Sequence, residues 1–288
     1  MGFLDNLLGK KKKDPAPAPE GNKTGAPKGS GGGNEEKKDH TGGFLGFVLL
    51  KEAGWDRKAI FRTLKENWGI VPDDKGEDPA EEKDENAAVF WVNGTMCAYS
   101  LMPAPVPGGE AERFAAANYF WKEAVEVTKT HTAHLLVSVM GNAKDPVGAA
   151  KLFTALAAGA LEQPGVLGIY TSGTVFQPDF YLKVASDMKN GDLPVMDWVY
   201  IGLYRGKKGA CGYTYGLASF GREEMEILES AHAPGEIMEF LYDLCIYLLK
   251  SGNLIREGET VGRSAEEKLP VTRSKGEALD GMTLKIAF

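Results

Sequence analysis

His134–Met140, HLLVSVM, is the stretch on which the reading of this chain turns. Apolar except for His134 and Ser138, and short, it reads as a strand buried in the middle of a sheet. Its meaning comes from what precedes it. A helix over about Glu110–Val127 places Phe114, Ala117, Phe120, Trp121 and Ala124 on one side. Before that helix, Ala87–Val92 and Thr95–Leu101 are two strands joined by Asn93-Gly94, the dipeptide that most readily supplies the positive φ angles of a tight hairpin. Further back, Asp56 stands where an N-cap belongs, ahead of a helix carrying Ile60, Phe61, Leu64 and Trp68. Phe44–Leu50, FLGFVLL, is a second buried strand. The order is βαββαβ, that of the ferredoxin-like split unit in an α+β fold.

Forward from Met140, Pro146–Leu161 is an Ala-rich helix whose small residues permit close packing, across the sheet or between two halves. The order then repeats: strand Val166–Tyr170, helix Pro178–Met188, strands near Trp198–Tyr204 and Cys211–Ala218, helix Pro234–Leu249, strand Met282–Phe288. This predicts two plaits, over about 43–141 and 165–288, with one continuous mixed sheet as the alternative. The acidic stretch Pro72–Asn86 reads as a surface loop.

Ahead of the body, Asp14–Gly43 runs through Pro-Ala repeats into Lys, Gly and Ser clusters. Such a composition cannot bury enough apolar surface to offset chain entropy, so residues 1–42 read as a disordered tail. At its start Phe3, Leu4, Leu7 and Leu8 share one helical face and Lys10–Lys13 follow, a pattern suited to weak contact of residues 3–13 with an anionic membrane surface. The myristoylation pattern fails at Asn6. Residues 1–42 hold 8 Lys against 6 Asp and Glu, which leaves the remainder at −9 of the net −7. An acidic body argues against nucleic acid as a partner. No window is long and apolar enough to span a bilayer and no signal-peptide core precedes the body, which predicts a cytoplasmic protein, at most peripheral at the inner membrane surface. Cys97, Cys211 and Cys245 are odd in number, far apart and set among apolar residues, so they read as reduced core thiols.

Three constellations are candidates for function. Pro103, Pro105 and Pro107 alternate in MPAPVPGG, where they remove backbone donors and hold a rigid extended lip between strand and helix. His131 and His134 form the closest histidine pair, without further ligands at metal spacing, so no metal is expected. As a general base His134 would need a carboxylate such as Glu110 or Glu224, whereas as a core residue it would satisfy a buried backbone group. Tyr215 lies among glycines, and Arg222 follows beside Glu223 and Glu224, a charged cluster at a turn. GxGxxG, Walker A, GxSxG and HExxH are all missing, so no cofactor is expected.

The run PAPVP, Trp121, Ala133–Val137 (AHLLV), Tyr215-Gly216-Leu217, Phe220–Glu224 and Glu259–Gly262 (ETVG) together resemble a bacterial family catalogued as domain of unknown function 4261. The resemblance spans about Phe44–Gly262 and implies a bacterial protein without an assigned activity. It also implies an Arg near the second position of Thr214-Tyr215-Gly216-Leu217. This chain has Tyr215 there, so no anion-binding role is carried to that turn. Two functions stay open. One is a non-enzymatic module, immunity-like or stress-associated, that binds a protein through Pro103, Pro105, Pro107, Trp121, His134, Tyr215, Arg222 and Glu224. The other is a small-molecule enzyme in which His134, Glu110 and Glu224 converge.

Overall fold

A computed structural model describes residues 41–74, 79–81 and 84–288. The expected tail lies outside the described residues up to position 40. Gly42 is already anchored, its N–H donating to Ser219 O at 2.7 Å. The chain divides into two compact units. The described part of the first runs over 41–200 with 215–222, and the second comprises 201–214 and 223–288.

The first unit opens with β1 (Phe44–Leu50) and α1 (Arg57–Trp68). Asp56 caps α1 as its sequence demands, the carboxylate accepting the Ala59 N–H at 2.9 Å. β2 (Ala87–Val92) and β3 (Thr95–Met102) follow, joined by Asn93 (φ 49°) and Gly94 (φ 76°). Both turn N–H groups donate to the Asp73 carboxylate, at 2.8 and 2.9 Å, so an acidic residue upstream locks the hairpin. The expected helix Glu110–Val127 is two short ones, α2 (Glu110–Ala115) and α3 (Ala124–Thr128). Asn118 breaks it: its side-chain oxygen accepts the Phe120 and Trp121 N–H groups, closing a turn that competes with the helix. β4 (Ala133–Met140), α4 (Pro146–Leu161), β5 (Val166–Thr171), β6 (Thr174–Phe176), α5 (Pro178–Ala185) and α6 (Val195–Trp198) complete the unit.

All its strands form one antiparallel sheet in the order β2-β3-β4-β1-β5-β6. The element order βαββαβ is present, but the plait expected from it is not. In a split unit the third strand separates the first two, whereas here β4 lies between β3 and β1. β5, expected to open a second plait, pairs with β1 instead, Val48 opposite Ile169. One face of this sheet carries Val48, Leu50, Tyr99, Leu135 and Val137 into a core closed by α1 and α4. The Ala-rich α4 crosses the sheet here, and Gly159 lets it approach α1: a Cβ on Gly159 would meet Leu64 at 2.9 Å.

Trp198, expected in a strand, ends α6, and β7 runs over Tyr200–Arg205. β8 (Ala210–Tyr215) is shorter than expected because Gly216 (φ 125°) turns the chain into a 3₁₀ turn over Leu217–Phe220. The expected Pro178–Met188 helix likewise loosens into 3₁₀ from Ser186. In the second unit β9 (Met225–Ser230), α7 (Pro234–Ser251), β10 (Thr260–Val261), β11 (Leu269–Lys275) and β12 (Met282–Ile286) join β7 and β8. Their sheet, β10-β11-β12-β9-β8-β7, is mixed, with β12 and β9 parallel. α7 packs directly on β8, since a Cβ on Gly212 would lie 2.5 Å from Ile237. The fold is therefore α+β with two sheets. Cys97, Cys211 and Cys245 are free and buried, and burial, helped by Asp73, pushes the Cys97 thiol up to about 12.

Candidate docking face

The second face of the first sheet is built differently from the first. Alternation along the strands puts Leu45, Phe47 and Leu49 of β1 on it. β4 adds His134, Leu136, Ser138 and Met140, β3 adds Met96, Ala98, Ser100 and Met102, and β2 adds Val89 and Trp91. The register aligns them in rows across the sheet: Met140 opposite Met96 opposite Trp91, Leu45 opposite Ser138 opposite Ala98 opposite Val89, and Leu49 opposite His134 opposite Met102. Directly opposed side chains of this kind touch.

Only part of this face is covered. α2 and α3 pack over β5 and β6, where Phe114, Trp121, Tyr170, Val175 and Leu49 form a small second core. Trp121 is thus a core residue, its ring resting against Gly168. Because Asn118 cuts the helical stretch short, no described helix covers the β2–β3–β4 half, although His134 and Ser138 within it are buried between their neighbours. Leu45 is 48% exposed, Val89 45%, Met102 44% and Met140 54%.

The proline lip rises at the end of this open half. Pro103, Pro105 and Pro107 are exposed, while Val106 between them is buried and anchors the segment. Both histidines hold the lip. His131 accepts the Val106 N–H on Nε2 at 2.9 Å, and its Nδ1 bonds Thr128 O. His134 donates from Nδ1 to Ala104 O at 2.8 Å. Its ring packs edge-on against Phe47, with centroids 5.5 Å apart. Burial holds the His134 imidazole below its ordinary value of 6.5 against the opposing pull of Ala104 O, and His131 lowers it further. The neutral ring keeps an Nε2 lone pair that no described residue fills.

An aromatic ladder continues from His134 and Phe47 to Tyr170, stacked at 5.6 Å, and on to Phe114 at 5.2 Å. Tyr170 donates its hydroxyl to Glu110 Oε1 at 3.0 Å; burial first and Glu110 next push the phenol up. The carboxylate expected as an acid–base partner is thereby engaged by a tyrosine. Glu224 belongs to the second unit, where its Oε2 accepts the Thr214 hydroxyl at 2.7 Å. No single unit carries His134, Glu110 and Glu224 together. The charged cluster expected at Arg222 is likewise dispersed: its guanidinium bonds Phe220 O at 3.1 Å, and Glu223 pairs with Arg273 at 2.8 Å. Tyr215 lies with its ring over Gly173, leaving no room for a Cβ there. An open groove of about 600 Å³ lies elsewhere in the first unit, between α1, the hairpin turn and the start of α4, and none of the candidate catalytic or binding residues read from the sequence lines it.

Sequence reasoning found the lip but missed the apolar face beside it. The signal was Met96-x-Ala98-x-Ser100-x-Met102, a strand whose second face is semi-polar and Met-rich. It also missed Glu226. This carboxylate is fully buried in β9 and takes Lys285 Nζ at 2.7 Å, the Glu277 and Ala278 N–H groups and the Thr283 hydroxyl. Lys285 stands directly opposite it on β12. Glu226 between Met225 and Ile227 in MEILES and a lone Lys in MTLKIAF were the available clue. Glu226 is a structural pin of the second sheet.

Residues 213–287 match the family model described as Domain of unknown function (DUF4261). This is the family the sequence resembles. The matched segment contains Tyr215, Arg222, Glu224, Glu226 and Glu259–Gly262; PAPVP and AHLLV lie outside it. The comparisons with curated proteins and with solved structures give no match. Among the described residues no helix is long and apolar enough to cross a membrane.

Proposed function

We propose, from the premise that residues 213–287 match a family without an assigned activity, that this chain is a non-enzymatic protein-binding module. Its docking surface is the open half of the first sheet together with the proline lip. The observation that carries this reading is the run of exposed Leu45, Val89, Met102 and Met140 on one sheet face beside exposed Pro103, Pro105 and Pro107. Soluble chains seldom leave contiguous apolar surface open without a use for it. Methionines adapt their shape to what they touch, and a rigid lip loses little entropy on binding. The free Nε2 of His134, at the foot of the lip, accepts a hydrogen bond from the bound segment. The acidic charge of the body favours a basic partner. Compartment follows the same reading: a reduced, cytoplasmic setting suits three free thiols.

Quantitative affinity capture tests this with the full chain, a Leu45→Glu/Met140→Glu variant and a Met282→Glu control, all three positions being exposed in the folded chain. Proteins retained by the wild type and the control and lost by the double variant are the expected result. Identical retained sets from all three would refute it.

A further inference from the structure

Sulfur is where an oxidant attacks a chain like this one, and its placement here is uneven. Peroxides react with thiolates and with accessible thioethers. The three thiols are closed to them. Cys97, Cys211 and Cys245 are no more than 2% exposed, and burial holds the Cys97 and Cys245 thiols above their ordinary range, so neither supplies the reactive thiolate. Met196, Met225 and Met238 are buried as well. Among the described residues Met102, Met140 and Met282 are the exposed methionines, and the first two stand on the docking face.

Met140 ends β4 and Met102 ends β3. The antiparallel register puts them at opposite ends of that strand pair, Met140 opposite Met96 and Met102 opposite His134. The run from Met96 to Met102 covers about 20 Å of strand. Ala98, Ser100 and Ser138 lie between, so the large exposed apolar side chains of β3 and β4 are both methionine. Leu45 and Val89 flank them on β1 and β2. Both thioethers already face outward, so their reaction needs no unfolding.

We infer that Met140 and Met102 form a peroxide-reactive modification site that regulates the docking face: as sulfoxides they close it to a protein partner, and their reduction reopens it. The inference rests on the docking reading above. The thioether sulfur attacks one peroxide oxygen, an S–O bond forming as the O–O bond breaks. Sulfur loses two electrons to the peroxide, and the departing hydroxide takes the proton of the transferred oxygen and leaves as water. A methionine sulfoxide reductase returns two electrons to the sulfur and releases the oxygen as water. The sulfoxide places a polar acceptor on a side chain that was apolar, and an interface that buries it unpaired is weakened.

The test treats the full chain with dilute hydrogen peroxide, quantifies each methionine and cysteine by peptide mass spectrometry, and repeats the affinity capture. Met140 and Met102 are expected to oxidise at least about tenfold faster than Met196, Met225 and Met238, with the cysteines unmodified and the melting temperature unchanged. Capture then falls by about tenfold in the wild type and in Met282→Leu, which removes the exposed thioether outside the face. A Met102→Leu/Met140→Leu variant, close in volume, keeps its captured proteins after the same treatment. Rates at Met140 and Met102 no faster than at Met196, or a cysteine oxidised ahead of them, would overturn the site. Capture undiminished in wild type whose Met140 and Met102 are oxidised would overturn the regulation, as would equal loss of capture by the Met102→Leu/Met140→Leu variant. Failure of the docking reading looks different: Leu45→Glu/Met140→Glu then retains every protein before any oxidant is added, and the regulation falls with the docking face whatever the oxidation rates.

Discussion

Two histidines three residues apart in sequence have different stakes at the proline lip. His131 accepts a buried N–H, that of Val106, whereas His134 donates to the carbonyl of exposed Ala104, which water can reach. An orphaned buried donor is the costlier loss. His131→Ala is therefore expected to lower stability by about 2–4 kcal/mol and His134→Ala by about 1–3 kcal/mol, in urea unfolding of each variant. The reverse order, or an unchanged midpoint for His134→Ala, would contradict the roles assigned. Since the His134 imidazole is held below its ordinary value, its share of stability is present above pH 6.5 and lost as pH falls through the lowered value. Asp197 is the opposite case. It is fully buried with neither carboxylate oxygen hydrogen-bonded, and burial first, then Asp187, hold its carboxyl well above the usual range. Folding favours the protonated form, so stability is fully present below the unfolded value and declines as pH rises toward the folded one. Each pKa unit corresponds to about 1.4 kcal/mol. Asp197→Asn is expected to raise the melting temperature at pH 8 and change little at pH 4; a destabilised variant at pH 8 would show that the carboxylate has a use. The sequence displayed His134 and the lip, because both carry a chemical signature. Asp197 in VMDW carries none, since its burial is set by the packing of distant elements.

At the level of elements, the sequence revealed local patterns and concealed partnerships. The hairpin, the Asp56 cap, α4 and β12 followed from dipeptides, caps and periodicity, all of which act over a few residues. The break at Asn118 depends on a turn whose side-chain oxygen outcompetes a helix with a good apolar stripe. β9 was hidden because Glu226 and Glu229 make it look solvated, although Glu226 is among the most completely bonded groups in the second unit. Burial by itself would raise the Glu226 carboxyl, but the donors from Lys285, Glu277 and Ala278 outweigh it and hold it below its ordinary value. Its stabilising share is therefore present above the unfolded value and lost as pH falls through the lowered one. Glu226→Ala takes the carboxylate from a Lys285 ammonium only 13% exposed and from two part-buried backbone donors, Glu277 and Ala278. A loss of about 3–5 kcal/mol is expected, read from thermal unfolding at pH 7. A loss below 1 kcal/mol would remove the pin from the account of the second sheet.

For the whole molecule, element order was legible and sheet order was not. βαββαβ is a one-dimensional statement, and which strand lies beside which depends on pairing energies between distant segments. That is how β4 came to separate β3 from β1, and how β5 joined the first sheet. The docking face follows from this arrangement, because short α2 and α3 over β5 and β6 cannot also shield β2–β4. Removal of residues 1–40 is expected to shift stability by no more than about 1 kcal/mol, since the anchoring bonds of the described fold begin at Gly42; a larger fall in melting temperature would make that segment part of the core. The central claim, that the open half of the first sheet is where a protein partner sits, has a direct measurement. Photo-methionine incorporated throughout the full chain, irradiated in a lysate of the source cells, labels whatever touches each position. The account predicts partner adducts concentrated at Met140, Met102 and Met96 and scarce at Met282. Adducts at Met282 equal to or above those at Met140 would contradict it.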